Sequence, residues 1–301
     1  MSLDLQSIYD LTGLVALVTG GGTGIGYMIS TGLAANGAKV YITGRRKDVL
    51  DKVVNAWNSK PEGERKAGMV AVQMDVTSQE SILGAKKLIQ EKEGKLHILV
   101  NNAGQVGPTS PFFNDPQAPE RKDIETLGQS LFEKQTFSQW SDLYTINTFS
   151  IFFVSTAFLG LLDKGSQEGS KWPGFTSSII NITSISGVIK LAQEHFAYNS
   201  AKAAASHLTK MMATEFALKG AKVRVNAIAP GVYASEMTFD EIPPAEVDKI
   251  GKGVMPVPAQ RAGTAEEMAG TVIYLASPAG CYTNGQEIVI DGGYVAVNPA
   301  T

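Results

Sequence analysis

Short apolar runs recur along the chain at 15–19, 40–43, 70–74, 98–101, 178–182, 223–228 and 287–290. Each has strand length. Several are almost unbroken in Val, Ile and Leu, the pattern of strands buried on both faces of a parallel sheet. Between them lie segments with helical patterning, at 25–35, 47–58, 78–93, 137–162, 197–218 and 265–275. Parallel neighbours need crossover connections, so regular alternation of strand and helix predicts an α/β fold. The expectation is a doubly wound parallel sheet of about seven strands with helices on both faces.

Two stretches break the alternation. Residues 107–136 contain Pro108, Pro111, Pro116 and Pro119 and exceed a normal connection in length. They read as an insertion folded over the surface, with a lid or an oligomer contact as the functional alternative. Residues 163–176 form a Gly/Ser/Lys-rich stretch with the pattern of a surface loop. No linker and no solenoid repeat divides the chain, so 1–301 reads as a single domain with an N-terminal extension at 1–12.

Composition narrows the function classes. The formal net charge is −3, which supplies no basic field for nucleic acid. No apolar run in the sequence approaches the ~20 residues of a bilayer span, so no membrane partner is expected. Residues 1–12 include Asp4 and Asp10 and lack a basic leader region, and the terminal Pro299-Ala300-Thr301 is not the peroxisomal tripeptide. Cys281 is the only cysteine, which excludes an internal disulfide and favours a reducing compartment. A cytoplasmic location is the expectation.

The candidate chemistry begins after the first strand, in Thr19-Gly20-Gly21-Gly22-Thr23-Gly24-Ile25-Gly26. Glycine permits positive φ and lets a pyrophosphate approach the backbone. The helix that follows offers unpaired N–H groups and a positive dipole end. Strand, glycine turn and helix in that order form the dinucleotide-binding context of a Rossmann unit. The second strand then runs into Gly44-Arg45-Arg46, where NAD-selective units carry an acid for the ribose hydroxyls. Two planar cations in its place favour the 2′-phosphate of NADP(H), although two arginines at a solvated helix start would look the same. Arg45 is the preferred phosphate ligand, and Arg46 could reach the phosphate or the adenine face.

Tyr198 and Lys202 are four apart in a helical segment and share one face. A cation about 4 Å from a phenol, at an effective dielectric near 20, stabilises the phenolate by roughly 4 kcal/mol. Such a tyrosine could move a proton near pH 7. Alone, the pair also describes two neighbours on a solvated helix.

The motif Thr19-Gly20-x-x-x-Gly24-x-Gly26 resembles the classical short-chain dehydrogenase/reductase family, and the likeness extends from about Leu14 to Tyr294. Thr23 departs from the extended members, which carry glycine there. The resemblance implies further roles. Asp75 and Val76 would hold the adenine. Asn101, in Asn101-Asn102-Ala103-Gly104, would stabilise the sheet edge beside the cofactor, with Ala103 and Gly104 leaving room for ribose and pyrophosphate. Asn147 would kink its helix and hold a relay water near Lys202. Ser184, fourteen positions before Tyr198, would bond the substrate oxygen, with Ser186 as the competing choice. Pro230 and Gly231 match the turn beside nicotinamide, Val232 and Tyr233 would offer backbone contacts, and Ser235 stands where the family has Thr. Residues 236–260 match the variable substrate loop. The set implied for cofactor binding is therefore Gly20, Gly22, Thr23, Gly24, Ile25, Arg45, Arg46, Asp75, Val76, Asn102, Ala103, Gly104, Tyr198, Lys202, Pro230, Gly231, Tyr233 and Ser235. The implied catalytic set is Asn147, Ser184, Tyr198 and Lys202. Asp291-Gly292-Gly293 matches a segment with no chemistry.

The expected activity is NADPH-dependent reduction of a ketone or aldehyde. An alcohol dehydrogenase running in oxidation and a non-catalytic dinucleotide-binding scaffold are the alternatives. The resemblance also implies a homodimer or homotetramer. His97, His195 and His207 are scattered and predict no metal. His195 is a candidate for the substrate pocket, His207 for a packed helix face, and Cys281 for a small buried residue.

Overall fold

A computed structural model describes residues 3–61, 65–167, 172–234 and 242–300. Its centre is a sheet of seven parallel strands: β1 (Val15–Thr19), β2 (Lys39–Gly44), β3 (Met69–Gln73), β4 (Ile98–Asn101), β5 (Ser177–Ile182), β6 (Val223–Pro230) and β7 (Glu287–Ile290). The spatial order is β3-β2-β1-β4-β5-β6-β7. The chain leaves β1 in one direction and returns to β4 on its other side, which opens a crevice at the carboxyl ends of those strands.

The helices are α1 (Leu5–Ile8), α2 (Gly24–Ala35), α3 (Lys47–Asn58), α4 (Gln79–Glu93), α5 (Ile124–Glu133), α6 (Phe137–Tyr144), α7 (Ser150–Gln167), α8 (Phe196–Leu218), α9 (Val247–Gly251), α10 (Ala265–Ala276) and α11 (Tyr294–Val297). Successive side chains of a strand point to opposite faces, and the two cores divide accordingly. Ala16, Val18, Val40 and Ile42 pack with Ile29 and Leu33 of α2, Leu50 of α3 and Val272 of α10. Val15, Leu17, Tyr41 and Leu99 pack with Ile89 of α4, Phe158 of α7 and Met212 of α8. Every residue of β1, β4, β5 and β6 is buried, which is why apolar residues dominate them and why polar exceptions such as Asn181 and Arg224 are hydrogen-bonded within the fold.

Local signals set the helix ends. Ser78 accepts the backbone N–H of Ser81 at the start of α4, and Gly94, at φ +69°, ends it. Thr264 and Glu267 form a capping box on α10, as Thr136 and Gln139 do on α6. The single helix expected over 137–162 is divided by a π-helical turn, Thr145–Phe149, with Asn147 buried at its centre.

That run corrects one reading of the sequence. Phe137–Gln167 is 31 residues long, and an 18-residue window has mean hydropathy 1.7, long and apolar enough to cross a membrane by length and composition. Half of that window is buried within the protein, because Ile151, Val154, Phe158 and Leu162 cover the sheet. The insertion at 107–136 carries a helix the sequence did not suggest, α5, opened by Asp123, which accepts the N–H of Thr126. His207 is exposed, not packed.

Candidate active site

A cleft of about 650 Å³ lies across the carboxyl ends of the strands. Midway along it, after β1, is the glycine turn. Gly20 has φ +64°, and a Cβ on Gly26 would lie 2.1 Å from the Gly20 carbonyl oxygen. The turn can therefore close only with glycine at 26. Asn102 buttresses it from below: its Nδ2 donates to the carbonyls of Thr19 at 2.9 Å and Gly20 at 3.2 Å. Thr19 Oγ1 accepts the backbone N–H groups of Asn102 and Ala103 at 2.9 and 3.0 Å. Thr23 precedes α2 without capping it through its side chain, which leaves that helix start open towards an anion. Gly20, Gly22, Thr23 and Ile25 line the cleft. Gly24, at φ +49°, shapes the turn without lining it.

The far end is bounded by Thr43, Arg45 and Arg46 after β2 and by Asp75 and Val76 after β3. Both arginines are exposed. No acid follows β2, but one stands nearby. Burial works against the Asp75 carboxylate and is outweighed by bonds from Thr77 and by the charge of Arg45, so its pKa lies below the ordinary value. Asp75 Oδ1 accepts both the N–H and the hydroxyl of Thr77, at 2.9 and 2.7 Å.

The opposite end gathers Ser184, Tyr198 and Lys202. Ser184 follows β5 and begins a short 3₁₀ turn, Ile185–Gly187; its Oγ accepts the N–H of Ser186 at 3.1 Å. That hydroxyl is hydrogen-bonded to the Tyr198 phenol. Ser186 is committed elsewhere, donating to Gln193 Oε1 at 2.9 Å. The choice between the two serines therefore falls on Ser184. Lys202 Nζ donates to the carbonyl of Ile182 at 2.8 Å and sits 5.7 Å from the centroid of the Tyr198 ring. Burial lowers Lys202 to about 8.

Here the structure overturns an electrostatic expectation. Burial raises the Tyr198 phenol above its ordinary value, and the bond with Ser184 offsets this only in part. The charge of Lys202, whose Nζ bonds the Ile182 carbonyl, is not among the causes of that shift.

Asn147 lies behind this group. Its Oδ1 accepts the N–H of Gln105 at 2.9 Å and its Nδ2 donates to the Gln105 carbonyl at 2.8 Å. Its amide thus holds the loop after Gly104. Next to it in the turn, Thr148 donates to the carbonyl of Ala201 in α8 at 2.9 Å. Asn101 is the last residue of the central strand β4. Asn101 Nδ2 donates to Asn181 Oδ1 at 2.8 Å and Ser155 Oγ at 3.0 Å, and Asn181 donates to Thr209 at 2.8 Å. All four are buried.

Pro230 and Gly231 line the cleft beside Ser184. Tyr233 does not. Its side chain is buried against Gly263, where a Cβ would lie 2.1 Å from the ring, and the Val232 carbonyl accepts the N–H of Gly263 at 2.9 Å. Ser235 and residues 236–241 of the expected substrate loop lie outside the described residues. Asp291 accepts the N–H groups of Gly293 and Val295 at 2.8 and 2.7 Å, which fixes the turn that leads into α11. His195 stands 6.3 Å ring to ring from Tyr198 without lining the cleft.

Comparison with known proteins decides the family. A family model described as Enoyl-(Acyl carrier protein) reductase matches residues 20–295. Short-chain dehydrogenase/reductase PhomF from Diaporthe leptostromiformis is 38% identical over 309 residues, covering 100% of this chain and 97% of that protein. The chain belongs to the classical short-chain dehydrogenase/reductase family. Among solved structures, the Pseudomonas aeruginosa RhlG/NADP active-site complex has a TM-score of 0.75 at 29% identity, covering 95% of this chain and 98% of that one. A 7 alpha-hydroxysteroid dehydrogenase complexed with NADH and 7-oxo glycochenodeoxycholic acid has a TM-score of 0.76 at 28% identity, covering 98% of each chain.

Members of this short-chain dehydrogenase/reductase family use NAD(P). The residues present fit a dinucleotide on two counts. The turn at Gly20 and Gly26 admits a group where a Cβ could not stand. Thr43 Oγ1, buried in the cleft wall, has no hydrogen-bond partner among the described residues. Sequence reading missed Thr43, whose only signal was a polar residue ending an apolar strand. It also missed Glu287, which accepts Thr183 Oγ1 and Ser206 Oγ, both at 2.6 Å. That carboxylate joins the segment carrying Ser184 to the helix carrying Tyr198 and Lys202.

Proposed function

We propose that the protein is an NADPH-dependent reductase converting a ketone or aldehyde to an alcohol. The observation that carries this reading is the convergence of Ser184, Tyr198 and Lys202 at one end of a cleft whose other end presents Arg45 and Arg46. When bound, the nicotinamide cofactor supplies the hydride. The chain supplies the rest. Hydroxyls of Ser184 and Tyr198 point donors at one place, where a carbonyl oxygen gains negative charge in the transition state, and donors fixed there in advance act most strongly. Tyr198 gives its proton to that oxygen, and a phenol with a raised pKa is in its protonated form at neutral pH, as an acid must be. Lys202, held by the Ile182 carbonyl and close to the Tyr198 ring, would bind the nicotinamide ribose. Asn147 fixes the loop after Gly104 beside the same end. In reverse the same groups oxidise a secondary alcohol.

Arg45 and Arg46 would hold the 2′-phosphate, because guanidinium groups match a phosphate with paired donors. Asp75 follows β3, not β2, and its Oδ1 is held by Thr77. A homodimer or homotetramer accompanies this reading. Phe149, Phe152 and Phe153 leave an apolar face partly exposed along α7, and Met211 and Leu218 do so on α8. The protein is proposed to act in the cytoplasm on a small-molecule substrate, without nucleic acid or membrane.

The test is oxidation of NADPH and of NADH against a panel of ketones and aldehydes, with Tyr198→Phe as the control. Turnover preferring NADPH and lost in the variant supports the reading. Turnover retained in Tyr198→Phe, or equal use of NADH, removes the corresponding part.

A further inference from the structure

The segment entering α8 carries strain that the chemistry above does not use. Gln193 and Glu194 are consecutive residues with φ +51° and +69°. Left-handed backbone is unfavourable for residues with a Cβ and persists where surrounding contacts over-determine it. Those contacts are specific. Gln193 is buried, and both ends of its amide are used. Its Oε1 accepts from Ser186 Oγ at 2.9 Å, and its Nε2 donates to the Gly251 carbonyl at 2.5 Å and to Tyr294 Oη at 3.2 Å. Tyr294 donates to the same Gly251 carbonyl at 2.8 Å. The Glu194 carbonyl accepts the N–H of Ser110 at 2.9 Å, and its carboxylate pairs with Lys252 at 2.6 Å. Lys252 is also left-handed, at φ +47°.

Two residues thus join three separate parts of the chain: the turn that begins at Ser184, the end of α9, and the start of the 107–136 insertion. The path from α9 to Ser184 is unbroken. Gly251 bonds Gln193, Gln193 bonds Ser186, and the Ser186 N–H bonds Ser184 Oγ. We infer that Gln193 and Glu194 are positioning residues that tie residues 247–256 to the turn beginning at Ser184 and set the orientation of Ser184 through Ser186. Its effect on turnover rests on the reductase reading; its structural part does not.

The experiment compares hydrogen exchange, NADPH affinity and carbonyl turnover for wild type, Gln193→Ala and Glu194→Gly. Gln193→Ala is expected to raise exchange at least tenfold at both 185–189 and 247–256, with NADPH affinity within twofold. The value of kcat/KM is expected to fall tenfold or more. Glu194→Gly is expected to keep or raise the thermal midpoint, because glycine accepts the left-handed backbone, while kcat/KM falls. A merely structural role would move stability and turnover in the same direction. Exchange rising at one segment alone, or at neither, overturns the coupling. If wild type reduces no carbonyl, the reductase reading fails while the exchange comparison still decides the coupling.

Discussion

Lys202 Nζ donates to the carbonyl of Ile182, two residues before Ser184. The cation and the serine are therefore fixed from the same strand end, although they lie on different elements. Lys202→Met is expected to lower turnover roughly a hundredfold or more and to weaken NADPH binding, because an uncharged chain neither bonds the strand end nor meets the ribose. Steady-state kinetics and a fluorescence titration of NADPH check this; unchanged affinity and turnover would remove Lys202 from the site.

Arg45→Ala is expected to weaken NADPH by roughly ten- to a hundredfold, the value of one or two charge-assisted bonds, and to leave NADH nearly unaffected. Dissociation constants for both nucleotides provide the check. An equal loss for both would reject the phosphate role.

Gly26→Ala should be among the most damaging single-methyl changes in the chain. The added carbon would stand 2.1 Å from a backbone oxygen that cannot swing aside. A loss of roughly 2–3 kcal/mol or more follows from overpacking of this kind. Denaturant unfolding should show it, together with loss of nucleotide binding.

His97 makes stability fall in acid. Its Nδ1 accepts the Val15 N–H at 2.9 Å, and burial lowers its pKa to about 4 from 6.5. Between those values the unfolded chain binds the proton and the folded chain does not, so stability rises with pH across that window and is lost as pH falls through it. The contribution is roughly 3 kcal/mol at most. His97→Asn should flatten the dependence of unfolding free energy on pH between about 4 and 6.5. An unchanged slope would place the acid sensitivity elsewhere.

The strands were legible because burial on both faces leaves a short apolar run that few other structures produce. Helix α4 was legible for a different reason: Ser78 and Gly94 punctuate it at both ends. Helix α5 was not, because the prolines before it dominate the pattern and none of its residues is buried to give it a stripe. Helices α1, α9 and α11 span four or five residues each, too short for periodicity. Tyr198 and Lys202 could be named from spacing and Ser184 from the family resemblance, and the three do come together. The direction of the Tyr198 shift could not, since spacing reports a neighbouring charge and is silent on desolvation. Likewise, the use of Asn102 as a buttress and of Ser186 as a partner for Gln193 depends on chain segments brought together only by the fold.

The polar row of Ser155, Asn101, Asn181 and Thr209 is buried in the middle of the sheet. Asn101 and Asn181 stand opposite each other in the pairing of β4 with β5. A slip of one residue between these strands would put the two amides on opposite faces and leave each without its partner. Valine or isoleucine at those places would tolerate such a slip far better. The row therefore works as a proofreading mark for chain alignment: it penalises the misaligned sheet more than it strengthens the correct one. Ser184 follows three residues after Asn181, so the accuracy with which that hydroxyl arrives at the cleft is decided inside the core.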